Sequence, residues 1–358
     1  MKSNSNVSVF GGGSWGTSLA NLIAHNSRKV KIWVKETSVC DSINKLRENK
    51  LFLPGHKLSN NLEAINDIKN KDFLDSNIYI FTIPTQYIRP ILLKLKNQIN
   101  SKSIIINASK GIDIKSLKFI NQIFTETVNI DNKKYVTLSG PSFAKDVVSE
   151  LPTAVTLSSK SSSSLELSAA LFENTNLKVY RSNDVIGVEI AGALKNVIAI
   201  GAGIIDGVGN SESTKAAFIT RSLFEIRQFS KILGAKDSTF LGLSGVGDLM
   251  LTCYGIQSRN RNLGFMIGKG MKIKSVLKSS NSIAEGYFTS KAFVKLSKKF
   301  KFQAPILESI YGVLYKNVSP DNLVYNILHP FPQIVHHVVH PHPQIVHHTV
   351  HALSLIHI

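Results

Sequence analysis

The sequence predicts an α/β fold, a doubly wound sheet at the N-terminus joined to an all-α domain at the C-terminus, on three observations. A short β-type run, VSVF at Val7 to Phe10, passes at once into glycines and a helical pattern, GGGSWGTSLANLIAHN. Further β-type runs then alternate with stretches long enough for crossover helices up to residue 183, the grammar of a parallel sheet covered on both faces. From Asp184 onward the pattern is helical only. At 358 residues, 43% of them apolar, the chain has the length of about two domains and can bury a substantial core. Charged residues at 18% fit neither a disordered chain nor a multi-span membrane protein.

The first element carries the sharpest signal. Gly11, Gly13 and Gly16 fit G-x-G-x-x-G between strand and helix. The first glycine permits a tight turn, the second lets a pyrophosphate approach the backbone, and the third allows close helix–strand packing. The phosphates then rest on a helix N-terminus. A second run, VKIWV at Val30 to Val34, closes a βαβ unit of Rossmann type; a glycine turn without a ligand is the alternative. IYIFTIP from Ile78, SIIINASKG from Ser103 and VTLSGPSFA from Val136 are the next strands. Each ends in small or polar residues, and ligands in such sheets bind beyond the carboxyl ends of strands. TAVTLSS and the helical LELSAALFEN suggest one more β–α pair before residue 183.

The second domain, residues 184–328, opens with DVIGVEIAGALKNVIAIGAGIIDG. Its length invites a membrane reading, but Glu189, Lys195 and Asn196 interrupt it, so a buried central helix is expected. Lys195 stands alone among apolar neighbours. Burying an ammonium is expensive unless it is paired or its pKa falls, which makes Lys195 a candidate proton donor; a lysine snorkelling from a helix surface is the alternative. Asp248, after the glycines of SGVGDLMLTC, could hold that lysine, accept substrate hydroxyls, or serve only as a cap. SRNR at Ser258 to Arg261 gathers the donors suited to a phosphate dianion, or forms an exposed basic helix start.

Charge and composition add bounds. Subtracting 24 acidic from 42 basic side chains leaves +18, a balance suited to anionic partners. No basic run interleaved with aromatics appears, so nucleic acid is not among them. Two cysteines make no disulfide framework, and the first residues lack a signal peptide's apolar core, so a reducing cytoplasm is expected. Residues 329–358 hold nine of the eleven histidines and a duplicated unit, HPFPQIVHHVV then HPHPQIVHHTV. Its paired histidines could bind a metal, but an appended segment outside both domains is the preferred reading, and no metal site is expected.

Together the segments GGGSWGTSLA, ASKGI, SGPSFA, GVEIAGALKNVIAIGAGIIDG, GLSGVGDLMLTC, QSRNRNLG and AEGY resemble, in order and spacing, the bacterial NAD(P)-dependent glycerol-3-phosphate dehydrogenases from Val7 to about Leu328. The resemblance implies reversible reduction of dihydroxyacetone phosphate to glycerol 3-phosphate for phospholipid synthesis, by a cytoplasmic homodimer without stable membrane insertion. It places the proton-transferring lysine on Lys195; Asp248, read above as its holder, is the second expected catalytic residue. It places substrate contacts on Lys110, Gly140, Ser142, Lys195, Asp248, Ser258, Arg259 and Asn260. Besides the glycines of the turn, it places cofactor contacts on Ser14, Trp15, Lys35, Lys110, Ala144, Arg259, Ile283 and Glu285; Asn196 and Thr252 are further assignments. The cofactor is NADP(H) or NAD(H). Lys35 at the end of the second strand, where NAD-specific enzymes carry an acid, favours NADP(H), with Glu36 pulling the other way. The rival readings are a two-domain reductase of the β-hydroxyacid or ketopantoate type, and a dinucleotide sensor without turnover.

Overall fold

The computed structural model describes residues 6–25, 29–279 and 284–328; Ile283 and residues 329–358, with their duplicated unit, lie outside the described residues. Strands β1 (Val7–Phe10), β2 (Val30–Trp33), β3 (Leu62–Ile65), β4 (Ile78–Phe81), β5 (Ile104–Asn107), β6 (Tyr135–Ser139), β7 (Thr153–Ser159) and β8 (Leu177–Ser182) form one sheet. Their order is β3-β2-β1-β4-β5-β6-β7-β8. Every neighbouring pair is parallel except β6–β7. The runs VSVF, IYIF and IIIN are buried along their whole length, as strands covered on both faces must be.

Helices α1 (Ser14–Ala24), α2 (Thr37–Leu46) and α3 (Ile120–Val128) belong to this domain. Val9, Ile32 and Ile80 pack with Leu19 and Ile23 of α1 in one apolar layer. Phe10, Tyr79, Phe81 and Ile105 pack with Ile123 and Phe124 of α3 in the other. Two strands escape the sequence reading. LEAI of β3 is four residues with a central glutamate, and LKVYRS of β8 is a half-exposed edge, so neither shows an apolar run. The antiparallel turn into β7 also leaves no local mark.

The second domain is built round α4 (Val185–Val208), which is buried almost throughout. It is long and apolar enough to cross a membrane, but its apolar window lies wholly inside the protein. Asp184 caps its start, accepting from the Gly187 amide (3.0 Å) and also from the Lys236 amide (2.9 Å) and the Thr239 hydroxyl (2.6 Å). Around it lie α5 (Glu212–Ile232), α6 (Asp248–Tyr254), α7 (Arg259–Gly268), α8 (Glu285–Lys299) and α9 (Pro305–Lys316). A broken turn over Leu243–Gly247 precedes α6, with Gly245 in a non-helical conformation.

The tightest packing in the molecule joins α7 to α4. A Cβ on Gly203 would lie 2.0 Å from the Arg261 carbonyl oxygen, and one on Gly264 would lie 1.9 Å from that of Ile200. Gly207 and Gly268 repeat the arrangement one turn on, against Phe265 and Ile204. Bare glycine faces on both helices let the backbones touch, which fixes where α7 begins. Gly264→Ala should therefore push α7 off α4 and destabilise the protein by roughly 1–3 kcal/mol or more, the usual cost of overpacking. Chemical denaturation against the parent protein measures it, and a cost below about 0.5 kcal/mol, the scale of ordinary surface changes, would mean that the seam yields freely.

Candidate active site

The glycine turn has the conformation its motif requires. Gly11 sits at φ +116° and its amide donates to the Trp33 carbonyl (3.1 Å). A Cβ on Gly13 would meet nothing within 4 Å, leaving the open face that a phosphate needs, whereas one on Gly16 would lie 1.9 Å from the Gly11 carbonyl oxygen. No side chain caps α1, so its first-turn amides are left for an anion. Ser14 donates to the Phe52 carbonyl (2.7 Å), and Ser18 donates to that of Ala144 (2.8 Å), tying the strand-6 loop to α1. Trp15 is half-buried beside them, and Lys35 is exposed at the exit of β2.

Further along the strand ends, Lys110 follows β5 and donates to Asp248 Oδ2 (2.6 Å). Lys195 of α4, 8% exposed, donates from Nζ to Asp248 Oδ1 (2.5 Å) and Thr252 Oγ1 (2.7 Å). An ammonium has three donors, so among the described residues one N–H of Lys195 is left. Asp248, 1% exposed, also accepts from the Ser139 hydroxyl at the end of β6 (3.3 Å). Two ammoniums and one carboxylate leave the cluster one positive charge. Burial, with Lys110 adding to it, lowers the Lys195 ammonium to about 8 although the Asp248 carboxylate opposes the shift. Burial works against ionising Asp248 in turn, yet the two lysines outweigh it and hold the carboxyl below its ordinary range.

The remaining predicted residues fall on the walls of this junction. Gly140, at φ +152°, lies so close to β7 that a Cβ would be 2.8 Å from Val155 Cα; Ser142 beyond it donates to the Gly140 carbonyl (3.2 Å). Ser258 caps α7, accepting from the Arg261 amide (3.2 Å). Arg259 next to it is exposed and has no hydrogen bond or ion pair among the described residues. Asn260 is buried and engaged at both ends, donating to Asn196 Oδ1 (3.0 Å) and accepting from the Gly286 amide (3.0 Å). Glu285 opens α8, and its Oε1 accepts from the Thr85 amide (3.3 Å). Among the described residues its Oε2 and the Thr85 hydroxyl are buried without a hydrogen bond, both beside Gly111. Burial pushes this carboxyl up to about 7.

Lys110, Lys195 and Asp248 are thus in direct contact, with Arg259, Asn260 and Glu285 on adjoining helix starts; Lys35 stands apart at the β2 exit. Thr85 and Ser139 belong to the polar strand ends expected to line a cleft, though no role is read for either, and Gly192 escapes the sequence reading altogether. A Cβ on Gly192 would be 3.0 Å from the Ser139 hydroxyl and 3.5 Å from the Lys110 stem, so that glycine is what admits both to α4. The open turn at Gly13, the uncapped α1 and the orphaned Glu285 Oε2 fit a dinucleotide whose phosphates rest on α1 and whose far end reaches Glu285. Among the described residues no group of three or more His, Cys, Asp or Glu could hold a metal ion.

Comparisons with known proteins cover most of the chain. Residues 6–165 match the family profile described as NAD-dependent glycerol-3-phosphate dehydrogenase N-terminus, and residues 184–325 match the corresponding C-terminus. The chain is 42% identical over 324 residues to glycerol-3-phosphate dehydrogenase [NAD(P)+] of Bacillus licheniformis, covering 90% of this chain and 93% of that protein. The crystal structure of glycerol-3-phosphate dehydrogenase from Coxiella burnetii superposes with a TM-score of 0.86 at 30% identity, over 91% of this chain and 99% of that one. A ketopantoate reductase from Ralstonia eutropha JMP134 covers 90% of this chain and 100% of its own, at 12% identity and a TM-score of 0.57, and shares the fold alone.

The cluster itself makes a prediction independent of any substrate. Lys195 should titrate near 8, and Asp248→Asn, which removes the opposing charge, should lower that value further. Carbon-13 NMR of Cε-labelled lysine reads both. An ordinary lysine titration near 10 in the parent protein would contradict the burial argument.

Proposed function

Because the chain belongs to the NAD-dependent glycerol-3-phosphate dehydrogenase family, we propose that Lys195 and Asp248 carry the proton transfer of that family's reaction here. The activity is NAD(P)-dependent interconversion of dihydroxyacetone phosphate and glycerol 3-phosphate. The observation that carries the residue roles is the arrangement at Lys195 Nζ: two N–H groups on Asp248 and Thr252, one left, and a net positive charge round it.

A bound reduced nicotinamide supplies the hydride. On this reading the glycine turn and the α1 amides would hold a dinucleotide's phosphates, with Ala144, Trp15, Glu285 and Arg259 as the further residues that would hold the cofactor. The remaining N–H of Lys195 would stabilise the negative charge that reduction builds on the ketone's carbonyl oxygen and deliver the proton to it. Asp248 keeps that amine in place, and Lys110 adds a second positive charge against the growing one on oxygen. Arg259 and the α7 start, with Ser258 and Asn260, take the substrate phosphate, whose binding energy orients the carbonyl. Gly140 and Ser142 close the pocket from the β6 side. NADP(H) is the preferred cofactor through Lys35, and a cytoplasmic homodimer supplying phospholipid synthesis belongs to the same reading. Incubation with NADPH and dihydroxyacetone phosphate, following loss of reduced-nicotinamide absorbance, tests the reading directly.

Lys195→Ala should still bind dinucleotide while turnover falls roughly 10²–10⁴-fold, the usual weight of a general acid. The pH dependence has opposite signs in the two directions. Reduction needs the protonated amine, so its kcat/KM, which reports the free enzyme, should fall as pH rises through about 8; kcat/KM for oxidation of glycerol 3-phosphate needs the neutral amine and should rise through the same value. Steady-state profiles in both directions check this, and identical slopes would remove Lys195 from the proton path.

Arg259→Ala should cost roughly 3 kcal/mol in kcat/KM for dihydroxyacetone phosphate, in the range for breaking a charge pair buried on binding. Unphosphorylated dihydroxyacetone, with no dianion to lose, should suffer far less. The ratio of the two kcat/KM values cancels any cofactor defect, so a ratio held at its parent value would exclude Arg259 from the phosphate.

A further inference from the structure

We infer that Asn66, which none of the site assignments includes, is a positioning residue for the ribose end of the cofactor site: it fixes the backbone at Lys35, and so sets how strongly this chain prefers a 2′-phosphorylated dinucleotide. The inference rests on the reading that Lys35 meets the 2′-phosphate.

The pairing of β2 with β3 ends at Trp33 opposite Ile65, with a last rung from the Val34 amide to the Ile65 carbonyl (2.9 Å). Beyond it the Asn66 side chain takes over from the backbone. Its Nδ2 donates to the carbonyl oxygens of both Val34 (2.9 Å) and Lys35 (2.8 Å). The Trp33 indole donates back to the Asn66 carbonyl (3.1 Å), and the Thr37 hydroxyl reaches Asn66 Oδ1 (3.4 Å). Two successive peptide planes are therefore pinned, and these planes set the directions of the Lys35 and Glu36 side chains.

Those two side chains are exposed, adjacent and opposite in charge, and neither has an ion pair among the described residues. A phosphate dianion is attracted by one and repelled by the other, so the backbone orientation decides the sign of the local field. The segment is also in the right place. A Cβ on Gly12 would lie 2.1 Å from Val34 Cγ1, which puts the β2 exit directly against the phosphate-binding turn. A dinucleotide whose pyrophosphate lies on α1 has its adenosine ribose at that exit. An amide is needed at position 66 because it supplies two donors where a carboxylate supplies none.

The test is direct titration of the full chain with NADPH and with NADH, following nicotinamide fluorescence, for the parent, Asn66→Ala, Asn66→Asp and Lys35→Ala, with thermal melts confirming that each is folded. Asn66→Ala should weaken NADPH at least fivefold and NADH less than twofold, and Asn66→Asp, which keeps the shape and loses the donors, should do at least as much. Lys35→Ala should lose NADPH affinity selectively. If Lys35→Ala changes the ratio of the two dissociation constants while both Asn66 variants leave it unchanged or weaken the two cofactors equally, the role of Asn66 is overturned and that of Lys35 stands. An unchanged ratio in Lys35→Ala removes the reading beneath it, and the inference with it.

Discussion

An ammonium placed in the most buried helix of the molecule constrains everything packed round it. Lys195 lies in α4 among alanine, leucine and valine side chains, and in such surroundings a lone charge costs several kcal/mol. Asp248 and Thr252 on α6 offset that cost with two hydrogen bonds. They reach it because the chain kinks at Gly245, where a Cβ would lie 2.2 Å from the Phe240 carbonyl oxygen. Asp248, buried in turn, needs more than one partner, and the strand-end loops of the sheet domain provide Lys110 and Ser139. One ion cluster therefore draws on both domains and sits at the junction between them.

The same helix is tied to the sheet a second time. Glu189, six residues before Lys195, accepts from the Tyr135 hydroxyl (2.5 Å) and from the Asn121 amide at the start of α3 (3.1 Å). Burial pushes its carboxyl up to about 7 despite these donors. The contact joins α4 to β6 and α3, so Lys195 cannot shift along the helix axis without breaking it. A small cavity lined by Ser109, Lys110, Ser139, Glu189 and Gly192 separates the two ties.

How much of this was legible depends on whether a residue's task is local. The glycine turn announces itself because its three constraints fall within six residues. Lys195 and Asp248 were legible because a charge in an apolar run and an acid after a glycine turn are each anomalous where they stand. Thr85 and Ser139 were legible only as polar strand ends facing a cleft, and Asn66 not at all: each acts on a group far away in sequence, and a serine, threonine or asparagine after a strand has no readable role by itself. β3 and β8 were missed for a related reason, since a central glutamate and an exposed edge erase the apolar run. The basic helix start at Ser258 was legible as a cluster of donors, but not its division of labour. Ser258 caps, Asn260 bridges Asn196 to α8, and only Arg259 is left uncommitted.

That division explains why α7 is locked so firmly. Arg261, two residues past Arg259, donates from Nε to Asp206 at the end of α4 (2.9 Å). Lys215 of α5 pairs with the same carboxylate (3.0 Å), and its ammonium lies over the Tyr254 ring. With the glycine seam on one side and this ion cluster on the other, the start of α7 is held relative to Lys195 by backbone contact and by charge. On the proposed function, a phosphate gripped at Arg259 is thereby held at a fixed separation from Lys195. Binding energy collected at the phosphate orients a carbonyl elsewhere only if the frame between the two points does not give. The glycines of α4 and α7, which contribute no side chain to the chemistry, make that frame stiff.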